Sequence, residues 1–179
     1  GRESGNGRTI AIQSAVLVPI FAIIFIGLSW RGSHFASEAQ VASNFAARCK
    51  PVEAHSEAGE SLFIWGFKPH FYTICNRKPA SRFVYTTFVS GTVPWVASTE
   101  EEDERRTVPG SRELLISDLE ESKPPVILDF PFFLGQTGRR MHDYEIFGNY
   151  LKREYCVVGN NGPVLSYVRK TEDGSCPKR

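Results

Sequence analysis

Hydrophobic and polar positions fall into two regimes along this chain. From Thr9 to Trp30, TIAIQSAVLVPIFAIIFIGLSW, no residue is charged. As a helix rising about 1.5 Å per residue, these positions span roughly 33 Å, against a hydrocarbon core about 30 Å thick. The run predicts a single transmembrane helix over 9–30, preceded by a short flank at 1–8 and followed by one external domain at 31–179. Pro19 lies inside the run, where membrane helices tolerate proline. Trp30 and Arg31 close it with an aromatic and then a charged anchor. The run is longer than the apolar core of a cleavable leader, and no small-x-small cleavage site follows cleanly.

Beyond residue 31 the pattern alternates between helical and strand periods. Phe35, Ala39, Ala42, Phe45, Ala46 and Cys49 make one apolar helical stripe over 34–49, which Lys50-Pro51 is expected to stop. Leu62–Phe67, LFIWGF, is short, apolar and rich in aromatics, and reads as a buried strand. Pro69 opens a short helix, PHFYTICNR, and Arg82–Phe88 reads as a second strand. A helix follows Pro109-Gly110 over SRELLISDLEES with Ser111 as its expected N-cap, and Pro124-Pro125 breaks it. Val126–Phe130 is a third strand. Tyr144–Arg153 is a further helix, and Tyr155–Val158 pairs back on Val164–Arg169 through the Asn160-Asn161-Gly162 turn. Alternation of this kind predicts an α/β fold: a small α/β sandwich with a mostly parallel sheet and a C-terminal hairpin.

The charge balance, 21 Lys and Arg against 20 Asp and Glu, gives no electrostatic basis for nucleic-acid binding. All four cysteines, Cys49, Cys75, Cys156 and Cys176, follow the apolar run, which suits an oxidising compartment. This places the N-terminus in the cytoplasm and the domain outside, periplasmic or otherwise extracytoplasmic on the cell inner membrane. In a βα unit, the helices before and after a strand reach the same edge of the sheet. Cys49 and Cys75 then meet, and the closing hairpin brings Cys156 to Cys176. No CxxC spacing occurs, so neither a zinc site nor any cofactor is expected.

Chemistry-bearing motifs are few. There is no GxGxxG, P-loop, HExxH or GxSxG. The acid run Glu100 to Glu104 lacks calcium-loop spacing and reads as a solvated loop closed by Arg105-Arg106. His142-Asp143 reads as an exposed turn with no assigned nucleophile. Trp65, Phe67, Phe71 and Tyr72 read as core, with a sugar or lipid pocket as the alternative. Trp95, Phe130, Phe132 and Phe133 lie in or beside proline-interrupted segments, and are the expected partner-contact residues.

One stretch carries a family resemblance. In Leu62 to Gly91, the residues Trp65, Gly66, Tyr72, Arg77, Pro79, Ala80, Ser81, Arg82 and Phe83 resemble the extracytoplasmic C-terminal domain of polytopic glycosyltransferases that use a lipid-phosphate sugar, of the protein-mannosyltransferase and aminoarabinose-transferase type. Leu119 before Pro124-Pro125, the strand Val126–Asp129, and Tyr155 with Tyr167 also fit. The resemblance implies an α/β domain after a last membrane helix. That family places its catalytic acid in the first external loop and builds its lipid cavity from many helices. Here there is a single apolar run, and the only acid soon after it is Glu38, so sugar transfer is not expected of this chain.

The sequence therefore predicts a non-catalytic, single-pass accessory subunit. Its external domain would scaffold a larger membrane complex, such as a photosynthetic or respiratory assembly, with the lipid bilayer and other membrane subunits as partners. The alternatives are the C-terminal fragment of a polytopic glycosyltransferase and a sugar-binding module.

Overall fold

The computed structural model describes residues 43, 46–130, 139–161 and 164–177, without the side chains of 160 and 161. The expected transmembrane segment at 9–30, most of the helix expected at 34–49, and Phe132 and Phe133 lie outside these residues. Among the described residues, no helix is long and apolar enough to cross a membrane.

The fold is mixed α/β. Helix α1 (46–55) leads into β1 (Ser61–Trp65), α2 (His70–Ile74) and β2 (Lys78–Pro79). Three helices follow: α3 (Thr87–Ser90), α4 (Glu100–Arg106) and α5 (Ser111–Ser122). The chain closes with β3 (Val126–Asp129), a 3-10 turn (Met141–Asp143), α6 (Glu145–Glu154), β4 (Tyr155–Asn161) and β5 (Val164–Arg169). The sheet order is β2-β1-β3-β5-β4. Strand β1 pairs in parallel with β2 and β3, whereas β3–β5 and β5–β4 are antiparallel. The sheet is thus half parallel, not mostly parallel, because the closing hairpin supplies two of its five strands.

Alternate residues of the strands feed two cores, as the period-2 pleat requires. Leu62, Ile64, Val126 and Leu128 pack with Val52, Phe71 and Tyr72 under α1 and α2. Phe63, Trp65, Ile127 and Tyr167 pack with Leu115, Leu119, Phe147 and Tyr150 under α5 and α6. Buried on both faces, β1 and β3 read as continuous apolar runs, which is why the sequence shows them plainly.

Both expected disulfides are present. Cys49 is bonded to Cys75, with Cα atoms 5.4 Å apart, and Cys156 to Cys176, with Cα atoms 5.7 Å apart.

Four local expectations are corrected. Helix α1 does not stop at Lys50-Pro51 but runs to His55. Proline removes one N–H, yet burial of Cys49 and Val52 on one face carries the helix past it. The second strand is not Arg82–Phe88 but Lys78–Pro79. The Ser81 hydroxyl accepts the Phe83 N–H, and Asp118 accepts the Arg82 N–H. Those side chains take the donors that a strand would need. Ser111 is not an N-cap: Gly110 holds that position at φ +77°, and the Ser111 hydroxyl donates to the Phe88 carbonyl.

The acid run is the fourth correction, since it forms α4. Thr99 accepts the Glu102 N–H and Glu102 accepts the Thr99 N–H, a capping box. Four acidic residues then sit at the positive end of the helix dipole and two arginines at the negative end.

Gly91 ends α3 at φ +74°, and any Cβ there would fall on the carbonyl oxygen of Asp103 in α4. Gly91→Ala should therefore cost about 3 kcal/mol, from the left-handed backbone and the forced separation of α3 from α4. A urea denaturation midpoint equal to that of the parent chain would contradict this packing.

Candidate functional site

The carboxyl edge of the parallel strands is where an α/β sheet opens a crevice for function. Strand β1 ends there at Trp65, and Gly66 turns the chain at φ +112°, with the Phe130 carbonyl 2.6 Å from where a Cβ would sit. The Gly66 N–H donates to the Thr86 hydroxyl at 2.9 Å, drawing the segment before α3 onto the same edge. Phe67 emerges next. Its ring stacks on Tyr85 at 4.7 Å and meets Trp95 edge-on at 5.6 Å. Trp95 is 68% exposed, Phe88 57% and Tyr85 38%. Aromatic rings this exposed are costly to leave in water, and they mark contact surfaces more often than singly scattered apolar residues do.

This aromatic face is rigidly backed. Asp103 of α4 is buried and accepts from Thr92 at 2.7 Å and from Ser98 at 2.6 Å, fixing both ends of the Trp95 loop. Glu104 pairs with Arg112 at 2.8 Å and lies 3.5 Å from Arg139; the hydrogen bond from Arg112 is the main reason its carboxyl is held below the ordinary range. Both guanidiniums also cover the Tyr144 ring, Arg139 at 4.1 Å and Arg112 at 5.0 Å.

A polar cluster lies deeper on the same edge. Asp129 ends β3 and is fully buried. Its Oδ2 accepts the Met141 N–H at 3.2 Å, whereas its Oδ1 has no hydrogen-bond partner. Burial pushes its carboxyl up to about 7, against the pull of the Arg140 charge and the Met141 N–H. His142 sits beside it, with Nδ1 2.8 Å from the Tyr167 hydroxyl and 4.0 Å from Asp129 Oδ2. Its Nε2 lies 3.4 Å from Asp143. The two ring nitrogens thus face a phenol and a carboxylate, and among the described residues no Ser or Cys is hydrogen-bonded to the imidazole. His142 and Tyr167 also border a groove of about 350 Å³ lined by Leu151, Tyr155, Val157 and Leu165. Among the described residues, no group of three or more His, Cys, Asp or Glu side chains is placed to hold a metal ion.

The sequence-predicted residues divide as follows. Trp95 is exposed, as a contact residue would be. Phe130 is not a contact residue: it is fully buried and stacks on Phe71 at 4.8 Å, because the position after β3 still faces the α1–α2 core. Trp65, Phe71 and Tyr72 are core, and the Tyr72 hydroxyl accepts the Ile64 N–H. Arg77 donates to the Ser56 hydroxyl and carbonyl and to the Cys75 carbonyl, locking the loops at the amino edge. Arg82 and Ser81 both hydrogen-bond Asp118 at 2.8 Å. Burial opposes the charge on Asp118, but those donors hold its carboxyl below the ordinary range. Pro79 lies in β2. The residues carrying the family resemblance are thus mainly structural, and most lie away from the aromatic face.

Sequence reasoning missed Tyr85, Phe88, Asp103 and Asp129 as parts of this edge. The Thr99-x-x-Glu102 spacing was a usable signal for α4. An acid closing the apolar run Val126–Asp129 was the signal for a buried carboxylate. No protein family, curated protein or solved structure matches this chain.

Proposed function

We propose that this chain is a non-catalytic accessory subunit of a larger membrane complex. Residues 9–30 tether it as a single-pass helix, and its disulfide-braced domain works by contact in an oxidising compartment, periplasmic on an inner membrane. The observation that carries this reading is the aromatic face of exposed Tyr85 and Trp95 on half-buried Phe67, held on a rigid edge by Asp103 and Gly66. Aromatic anchors on a pre-organised scaffold bind with little ordering cost. On the same edge Glu104 pairs with Arg112 and Arg139, and Asp103 accepts from Thr92 and Ser98.

Hydroxyl-radical footprinting in native membranes tests the contact. Trp65 is fully buried and serves as the internal reference for Trp95. Trp95 should be modified about as slowly as Trp65; oxidation at the rate of a free indole would remove the contact reading. A second reading, a sugar-binding module or the external domain of a lipid-linked-sugar glycosyltransferase, has the exposed indole and the resemblance in its favour. Purification of the chain as a monomer that turns over a lipid-linked sugar would establish that reading instead.

A further inference from the structure

The groove of about 350 Å³ between α6 and the β4–β5 hairpin is separate from the aromatic face. It lies within the range of about 300–1,000 Å³ that small-molecule pockets occupy. Strand register builds its floor. Tyr167 stands opposite Val157 in β4, and Leu165 stands opposite Asp129 in β3, so these side chains share one face of the sheet. Gly148, Leu151 and Lys152 line the helix side as one stripe of α6. The body of the groove is thus apolar and aromatic, between Leu151, Leu165 and the Tyr155 ring. Val157 stands 63% exposed beside it, an apolar side chain left in water.

The two ends differ in charge. At the Gly148 end, the Tyr167 hydroxyl is bonded to His142 Nδ1 at 2.8 Å, its one hydrogen bond among the described residues. A phenol offers one donor and two acceptor sites, so a second partner can be added. Asp129 and Asp143 both face His142 there and disfavour an anion. Lys152, four residues along α6 and about 6 Å further by helix rise, has no ion pair among the described residues. Lys170 Nζ donates to the Lys152 carbonyl at 2.8 Å, which brings a second ammonium to this turn and offsets the negative end of the helix dipole. Glu154 nearby in sequence is already paired with Arg153 and Arg169.

From this arrangement we infer that the groove between α6 and the hairpin binds a small hydroxylated aromatic carboxylate. Its hydroxyl meets Tyr167, its ring lies among Leu151, Leu165 and Tyr155, and its carboxylate meets Lys152. The site is independent of the contact reading above.

Equilibrium dialysis of 4-hydroxycinnamate against the full chain in phosphatidylcholine nanodiscs, with empty nanodiscs as the blank, tests the inference. The parent chain should bind it saturably. The uncharged analogue 4-hydroxycinnamamide should bind about tenfold more weakly, and cinnamate, which lacks the hydroxyl, about fivefold. Lys152 is exposed, so Lys152→Gln leaves the packing intact. This variant should lose the preference for acid over amide and keep the preference for the hydroxyl. Tyr167→Phe should do the reverse. Absence of saturable binding to the parent, equal affinity for acid and amide, or a Lys152→Gln chain that still prefers the acid would each overturn the inference.

Discussion

Asp129→Asn should stabilise the domain at pH 8 by up to about 4 kcal/mol and leave it nearly unchanged below pH 4. The side chain is fully buried, and burial raises its carboxyl to about 7. In the unfolded chain an aspartate titrates near about 3.9. The folded state therefore holds a proton that the unfolded state releases. The stability linked to that proton is fully present below about pH 4, is lost progressively as pH rises to about 7, and is absent above. Roughly three pH units at about 1.36 kcal/mol each give the expected size.

Other groups face this carboxyl. Arg140 favours its charged form, Asp143 opposes it, His142 lies 4.0 Å away, and the Met141 N–H is bonded to Oδ2. Asparagine keeps an oxygen for Met141 and carries no charge to desolvate. Urea denaturation midpoints of the two chains between pH 4 and 8 decide the matter. Curves that run parallel across that range would show that Asp129 is not the titrating group. Comparing the two chains is essential, because Asp118 and Glu104, whose carboxyls are held low, weaken the fold in the opposite direction as pH falls.

Removing either disulfide should cost about 3–4 kcal/mol, the chain entropy of loops closed over separations of 26 and 20 residues. The Cys49,Cys75→Ala pair and the Cys156,Cys176→Ala pair, each compared with the parent by urea denaturation, measure this directly. The two bridges should also differ in accessibility. Cys49 and Cys75 are both buried within the α1–α2 core, whereas Cys156 is buried and Cys176 is exposed. Mild reduction of the folded protein, trapped by alkylation, should open Cys156–Cys176 first. Release of Cys49 and Cys75 at lower reductant would contradict the described packing.

What could be read before folding was whatever depends on near neighbours. Leu62–Phe67 and Val126–Phe130 are apolar throughout because both faces of those strands are covered, and that pattern survives without any tertiary knowledge. Proline before α5, and the turn signal between β4 and β5, act through local backbone restriction. The cysteine pairing followed from the order of helices and strands, since that order decides which helix ends share an edge.

The candidate site was legible only at Trp95. Phe130 and Trp95 look alike as aromatics beside prolines, yet one stacks on Phe71 and the other stands in the open. Which of them is covered depends on α1 and α2, elements distant in the chain. The expected strand at Arg82–Phe88 failed for the same kind of reason. Its apolar residues suit a strand, but Asp118, 36 residues away, takes the Arg82 N–H, and Ser81 takes that of Phe83.

The sequence by itself determined the charge-free run, the apolar central strands, the helical stripes and the disulfide partners, because periodicity, turn chemistry and element order are properties of the chain. Only the tertiary structure decided which aromatics are exposed and that Asp129 is sealed from water. Burial and electrostatics at a point are sums over everything that packs there, and most of those neighbours lie far away in sequence.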